Sequence, residues 1–260
     1  MRIASWNINS VRLRLPLLLD YFKEAEPDVV CLQELKCLDE QFPRAEIEDA
    51  GYNVLVHGQK SWNGVAILSK RPLEEARRGL PGDTNDEQSR YIEATLPFGA
   101  GVLRVASIYL PNGNPAGTEK TAYKYAWMDR LCAHARDLLK LEEALVLAGD
   151  YNVIPESEDV YDPKAWAGDA LFRPETRQKF RSLVSLGLTD ALRATTDAPK
   201  MYTFWDYTGG AWPKNNGLRI DHLLLSPQAA DRLESVAIDR DMRAKEKPSD
   251  HAPIRADLRE

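Results

Sequence analysis

Two mixed β-sheets packed together with helices outside, an α/β chain of the α+β kind, is the fold class this sequence predicts, and three observations carry it. Short Val- and Ile-rich runs recur along the chain, each ending on a polar or acidic residue and bounded by Asn, Gly or Pro, which marks buried strands rather than helices. Between Glu40 and Leu110 strand-like runs follow one another without intervening helices, which argues against a doubly wound parallel sheet. The helical stretches are few and amphipathic, suited to covering a sheet from outside.

The chain opens on a strand, Ile3 to Asn7, followed by an amphipathic helix from Val11 to Lys23. Val29 to Glu34 is a second strand, and Glu40 to Ala50 a second helix. Tyr52 to His57, Val65 to Leu68, Tyr91 to Leu96 and Val105 to Asn112 read as further strands by the same apolar pattern. Thr118 to Lys140 is the longest helix: Trp127, Leu131, Ala135 and Leu138 form a core-facing stripe, while Lys120, Lys124, Asp129 and Arg136 are free to face water. After the strand Leu145 to Asn152, the stretch Ile154 to Pro174 lacks periodicity and carries Pro155, Pro163, Trp166 and Pro174, so it reads as a long ordered loop of the kind that often serves function. A helix at Thr176 to Leu186 and strands at Leu218 to Ser226, Val236 to Asp239 and Ile254 to Leu258 complete the chain, for about ten strands in all.

With 260 residues, 43% of them hydrophobic, the chain can bury a full core, and the absence of a linker-like segment, fixed-period repeat or low-complexity tract favours one domain over residues 1–260. Three cysteines without CxxC or zinc spacing argue against a disulfide frame or structural zinc and point to a reducing, cytoplasmic setting. The start, Met1-Arg-Ile-Ala-Ser-Trp6, runs into a strand with no basic-then-apolar leader. No apolar run approaches the roughly 20 residues of a spanning helix. The net charge of −6 disfavours a non-specific nucleic-acid binder, although carboxylates gathered around a metal would lower it without disclosing where Lys and Arg lie.

The candidate chemistry sits at the ends of the apolar runs. In Leu145-Val-Leu-Ala-Gly-Asp-Tyr-Asn-Val153, Asp150 and Asn152 are two apart and share a face of an extended strand, where an acid and an amide can hold a water and a phosphate oxygen. Gly149 would let the backbone approach a ligand. Glu34 closes Val29-Val-Cys-Leu-Gln-Glu34 with anionic oxygens suited to a hard cation such as Mg²⁺, and Asn7 closes Ala4-Ser-Trp-Asn7 in the same manner. Ser249-Asp-His-Ala-Pro253 sets a carboxylate beside an imidazole, with Asp221 the candidate partner for one nitrogen of His251 and the other free to address a phosphate. His222 falls on the face opposite Asp221 and is read as structural; His57 and His134 have no acid pattern around them. Singly, each residue is as readily part of a turn; together they share strand ends, which gather at one edge of packed sheets.

Six segments, in order, carry a resemblance: Ser5-Trp-Asn-Ile-Asn9, Leu32-Gln-Glu-Leu-Lys36, Ser107-Ile-Tyr-Leu-Pro-Asn-Gly113, Gly149-Asp-Tyr-Asn152, Gly217-Leu-Arg-Ile-Asp221 and Ser249-Asp-His251. Over essentially its whole length the chain resembles bacterial exonuclease III and the abasic-site endonucleases of the endonuclease/exonuclease/phosphatase superfamily. That resemblance implies a DNase I-like four-layer sandwich and a Mg²⁺-dependent enzyme, with Mn²⁺ as a substitute metal. It would cut double-stranded DNA 5′ to abasic sites, clean blocked 3′ ends and digest duplexes 3′ to 5′, leaving 3′-hydroxyl and 5′-phosphate. By the same resemblance Asn7 and Glu34 hold the metal, Asp250 is a further ligand or a brace for His251, and Asp150, Asn152 and His251 complete the candidate metal site. Asp150 orients or deprotonates the attacking water, Asn152 and Tyr109 grip phosphate oxygens, and His251, paired with Asp221, donates to the strained phosphate.

Phe204, Trp205, Leu218 and Ile220 match an apolar pocket for an extruded sugar lacking its base, whose extrusion is the least costly. Lys36, Asn112, Arg177, Lys214 and Arg219 are the candidates for backbone phosphates. The expected form is a monomer with no membrane partner. Asn9 stands where animal relatives carry an Asp, leaving one or two metals open, and Gly209-Gly210 replace bulkier residues that some relatives push into the duplex. Two other readings compete. A phosphodiesterase acting on lipid headgroups or inositol phosphates is disfavoured by Phe204-Trp205 and Gly217 to Asp221; a non-catalytic DNA-binding scaffold would be marked by a lost metal ligand or Asp–His partner, and none is missing.

Overall fold

The computed structural model describes residues 1–260. Its strands, numbered in chain order, form two six-stranded sheets. The first contains β1 (Arg2–Asn7), β2 (Val29–Gln33), β3 (Asn53–His57), β4 (Val65–Ser69), β11 (Leu233–Ile238) and β12 (Ile254–Leu258), in the order β11-β12-β1-β2-β4-β3. The second contains β5 (Glu74–Arg78), β6 (Tyr91–Phe98), β7 (Gly101–Tyr109), β8 (Ala144–Asp150), β9 (Thr189–Asp190) and β10 (Asp221–Leu225), in the order β5-β6-β7-β8-β10-β9. Both are mixed: β1 runs parallel to β2 and β7 parallel to β8, while the other pairings are antiparallel. The principal helices are α1 (Val11–Ala25), α2 (Arg44–Asp49), α3 (Glu119–Leu139), α4 (Pro163–Trp166) and α5 (Pro174–Val184). No helix is long and apolar enough to cross a membrane.

The two-residue period of each central strand assigns its side chains to alternate layers. In β1, Ile3 joins Val29, Val105, Val146 and Leu223 in a cluster between the sheets, whereas Ala4 and Trp6 pack with Leu18 and Tyr21 of α1 on the outer face. In β8, Val146 and Ala148 point between the sheets, and Leu145 and Leu147 meet Trp127 and Leu131 of α3 and Phe180 of α5. The result is the predicted four-layer sandwich of two mixed sheets flanked by helices. Strands buried on both faces account for the near-continuous apolar runs in the sequence.

This alternation also builds the site. Followed to one end of the sandwich, the inter-sheet face turns from apolar to polar: Ile3, Ser5, Asn7 in β1; Val105, Ser107, Tyr109 in β7; Val146, Ala148, Asp150 in β8; Leu225, Leu223, Asp221 in β10. Register places Tyr109 beside Asp150, and Asp150 beside Asp221. Gln33 bridges the layers beneath them, donating to Ser107 Oγ at 3.0 Å.

Several elements differ from the sequence reading. The helix expected over Glu40 to Ala50 is a 3-10 turn at Asp39–Gln41 followed by α2, because Pro43 lacks the N–H that would continue it. β5, Glu-Glu-Ala-Arg-Arg, has no apolar signal since all five residues are exposed at a sheet edge, where charge protects against further pairing. β9 has two residues, too few for a period. The strand expected from Leu218 starts at Asp221, and Leu218 instead bridges Val160 and Phe204. Gly149 is required by a neighbour rather than a ligand, since a Cβ there would lie 2.0 Å from the Ile108 carbonyl oxygen. Lys124, expected to face water, is wholly buried.

His134 also finds an acid, from the strand beneath α3: its Nε2 lies 2.8 Å from Glu93 Oε2, and Glu93 accepts from Tyr91 and Arg104 at 2.6 Å each. Burial opposes ionisation of Glu93, but these partners bring its carboxyl down to about 2. Glu93→Gln should lower unfolding free energy by roughly 3 kcal/mol, the cost of leaving a buried ion pair without one partner. Because the folded pKa is depressed, this contribution is complete above the ordinary value of 4.5 and fades as pH falls toward about 2. Denaturant titrations at neutral and acid pH would read both effects.

Candidate active site

Two residues that leave strands in the left-handed conformation shape the floor. Glu34 follows β2 with φ 53°, and Asn152 follows β8 by two residues with φ 49°, a strained backbone that functional sites tend to retain. Asp150 and Asn152 therefore meet through a turn rather than through strand alternation: the Asn152 N–H donates to Asp150 Oδ1 at 2.9 Å. Asn152 Nδ2 donates to the Leu110 carbonyl at 2.9 Å, and Asn112 Nδ2 to Asn152 Oδ1 at 3.2 Å. From beneath, Lys124 Nζ donates to the Asn112 carbonyl at 3.0 Å and the Asn152 carbonyl at 2.6 Å. Burial lowers this lysine to about 7. Its position, one turn before Trp127 and Met128, lies on α3's packed side, and only its charge suggested water.

Asn7 links the carboxylates from the two sheets, donating from Nδ2 to Glu34 Oε1 and Asp150 Oδ2 at 2.9 Å each. Tyr109 Oη donates to Glu34 Oε1 at 2.8 Å, and its ring lies under the Arg90 guanidinium at 4.8 Å. Burial would raise the Glu34 carboxyl, but Lys36, 2.8 Å away, with Asn7 and Tyr109, holds it below its ordinary value. Lys36 also donates to Asn9 Oδ1 at 2.6 Å, and Asn9 Nδ2 to Asp250 Oδ1 at 2.9 Å.

Opposite this group, His251 Nδ1 lies 2.8 Å from Asp221 Oδ2, while its Nε2 lies 3.8 Å from Asp150 Oδ2. Thr203 Oγ1, which no sequence signal singled out, donates to the same Asp221 oxygen at 2.6 Å. The brace for His251 is thus Asp221; the Asp250 side chain turns to Asn9 instead. Burial alone would lower the His251 imidazole, but the carboxylates around it, Asp221 foremost, raise it to about 10. Burial raises the Asp150 carboxyl to about 7, with Asp221 adding to the rise and His251 opposing it.

These groups line a pocket of about 560 Å³ whose other wall includes Phe204, Leu218 and Ile220. Trp205 lies outside that wall: it is fully buried, stands perpendicular to Trp212 at 4.9 Å, and donates from its indole to Asn215 Oδ1. Arg219 is likewise internal, 1% exposed, and held by Asp159 at 2.7 Å and Asp190 at 2.8 Å, so it meets no duplex phosphate. His222 is structural as expected, with Nε2 2.9 Å from the Val153 carbonyl oxygen. Arg177 is tied to the Pro155 carbonyl and Glu156. Lys214 is exposed and donates to the Gly209 carbonyl at the rim, and Asn112 lines the pocket.

The donor set suits a divalent cation. Glu34, Asp150 and Asp250, whose carboxylates are hard oxygen donors, line one pocket, with the amides of Asn7 and Asn152 beside them; Asn7 turns its nitrogen to Glu34 and Asp150 and could offer its oxygen only with the amide reversed. Asp221 Oδ1 is buried without a partner, and ligand atoms of Asp150, Asp221 and His251 lie within 4.8 Å of one another. Asp150, desolvated as it is, would regain its charge beside a cation.

Known proteins share this arrangement of chain. The model of the Endonuclease/Exonuclease/phosphatase family matches residues 4–251. Exodeoxyribonuclease III of Haemophilus influenzae is 37% identical over 270 residues, with all of both chains covered. The chain is also similar to a variant of the 3′ phosphatase NExo from Neisseria bound to a product DNA hairpin, with TM-score 0.96, 39% identity and all of both chains covered. An AP endonuclease from Archaeoglobus fulgidus aligns with TM-score 0.94 and 36% identity over 99% of each chain. With a family model spanning nearly its whole length and full-length relatives above one-third identity, the chain belongs to the endonuclease/exonuclease/phosphatase family.

Proposed function

We propose that this family member is a Mg²⁺-dependent DNA repair phosphodiesterase. It would cut 5′ to abasic sites, remove groups that block 3′ ends and digest duplexes 3′ to 5′. The observation that carries the reading is the meeting of two groups at one end of the pocket: the Asp221–His251 pair, whose Nε2 lies 3.8 Å from Asp150 Oδ2, and Asp150 joined through Asn7 to Glu34. The three activities named for the relatives, exodeoxyribonuclease III, 3′ phosphatase and AP endonuclease, share one reaction, attack of water on phosphorus with departure of a 3′ oxygen.

In that reaction Asp150, whose carboxyl burial raises and whose charge a bound cation would restore, accepts the proton of the attacking water. The water oxygen bonds to phosphorus, the bond to the 3′ oxygen breaks, and the departing oxygen takes a proton from solvent, so that a 3′ hydroxyl and a 5′ phosphate result. His251, charged at neutral pH and oriented by Asp221, donates from Nε2 to a phosphate oxygen. Asn152 donates to a remaining oxygen, as does Tyr109, whose hydroxyl burial keeps protonated, once it turns from Glu34. A divalent cation held by Glu34, Asp250 and the neighbouring amides would offset the charge on the leaving oxygen. Phe204, Leu218 and Ile220 give an extruded sugar an apolar wall.

Purified protein with Mg²⁺ should nick a duplex carrying one abasic site, and EDTA should stop it; an uncut duplex, or cutting indifferent to EDTA, would sink the reading. Salt supplies a second measurement. Because Lys36, Arg177 and Arg219 are engaged by this chain's own carboxylates, duplex affinity should drop only roughly 10- to 50-fold between 50 and 200 mM salt, the slope of two or three phosphate contacts.

A further inference from the structure

The long segment between β8 and α5 is mounted rigidly on the pocket wall. Val160 bridges Leu218, and the Tyr161 N–H donates to the Gly217 carbonyl at 3.2 Å. Asp159, wholly buried, is gripped by Arg219 at 2.7 Å and Arg193 at 2.6 Å. Asp162 caps α4 by accepting from Lys164 N and Ala165 N, and the carboxylate of Asp169 accepts from Asn114 Nδ2 at 3.1 Å.

From this mount two aromatic rings reach the pocket. Tyr161 and Trp166 stand 6.4 Å apart with planes at 78°, and Tyr161 is 41% exposed. Trp166 is half-buried against the cluster that contains Leu218 and Ile220. A planar group entering here can lie on one ring and meet the edge of the other, both favourable aromatic geometries.

Size and charge indicate what that group is. At about 560 Å³ the pocket is in the range that encloses a whole nucleotide-sized ligand, whereas a sugar without a base would leave the aromatic rim unused. Asp169 and Asp206 line the same pocket and repel further phosphates. The two rings favour a planar group at the rim, and the two carboxylates disfavour an anionic one.

We propose that Tyr161 and Trp166 form a stacking platform for the base of the nucleotide held in this pocket, so that the site accepts base-bearing 3′-terminal nucleotides as well as abasic sugars. The inference rests on the DNA reading above and deepens it by assigning the contact that serves exonuclease digestion. Stacking is sequence-tolerant because every base has a π-face, so the platform admits all four bases.

The test uses the whole protein with duplexes carrying 2-aminopurine as an unpaired 3′-terminal base, in EDTA for binding and in Mg²⁺ for cleavage. Wild-type protein should quench the fluorescence on binding, as stacking does, and Tyr161→Leu should lose most of that quench. Tyr161 is exposed, so this change spares the fold; Trp166→Leu is the second variant. In each, kcat/KM for removing the terminal base-bearing nucleotide, relative to abasic incision by the same preparation, should fall about 10-fold through KM. An unchanged quench and ratio in both variants, with active wild type, would overturn the platform and leave the nuclease reading standing. A wild-type protein that cuts neither substrate would overturn both.

Discussion

Asp150→Asn should lower the cleavage rate by at least about 10³-fold while duplex binding remains within a few-fold of wild type, the range expected when a positioned base is lost. The amide keeps the shape of the carboxyl, so the Asn152 N–H can still donate to the side-chain oxygen. What disappears is the proton acceptor and one anionic oxygen of the cation site. Asn7 donates to Asp150 Oδ2 at 2.9 Å, and an amide nitrogen turned toward it would also weaken the link to Glu34 on the facing sheet. Single-turnover cleavage of an abasic duplex alongside an equilibrium binding titration separates these terms. Wild-type turnover in the variant would remove Asp150 from the water-handling role.

The second large effect belongs to a pair. His251→Gln should cost about 10²- to 10³-fold in rate, the scale of losing one preorganised donor to a charged transition state. Asp221→Asn should cost a similar factor without touching substrate, because the Asp221 carboxylate both orients His251 Nδ1 and keeps the ring charged. The double variant should be little worse than the poorer single one, since groups acting as a unit are not additive. Additive losses would mean that Asp221 acts on something other than His251. Its unpartnered Oδ1 makes the cation the alternative, and raised Mg²⁺ should then rescue Asp221→Asn alone.

The strongest sequence signals were those with a local cause. Strands buried on both faces read directly as apolar runs, and the stripe Trp127, Leu131, Ala135 and Leu138 faces the core as its spacing requires. Elements whose cause is not local escaped. β5 carries only exposed charge, and α2 begins late because of one proline. Lys124, Arg219 and His134 depart from the sequence reading for one reason: a polar side chain is expected at the surface unless its partner is known, and their partners come from other segments. Asn112 and Asn152 hold Lys124, Asp159 and Asp190 hold Arg219, and Glu93 holds His134.

The same division runs through the candidate site. Asn7, Glu34, Asp150 and Asp221 were legible because each ends or begins an apolar run, and the sandwich brings those run ends to one edge. Their order in the chain further matched a family. The Asp221–His251 pair was expected from the sequence, but most other meetings were decided only by the tertiary structure: Asp250 on Asn9 rather than on His251, Asn7 between two carboxylates, Trp205 behind the pocket wall rather than on it. Sequence alone determined the layers and the chemical inventory, because periodicity and residue type act over a few neighbouring residues. Pairing, charge state and pocket shape arise from groups tens to hundreds of residues apart, and burial at close range sets their energies.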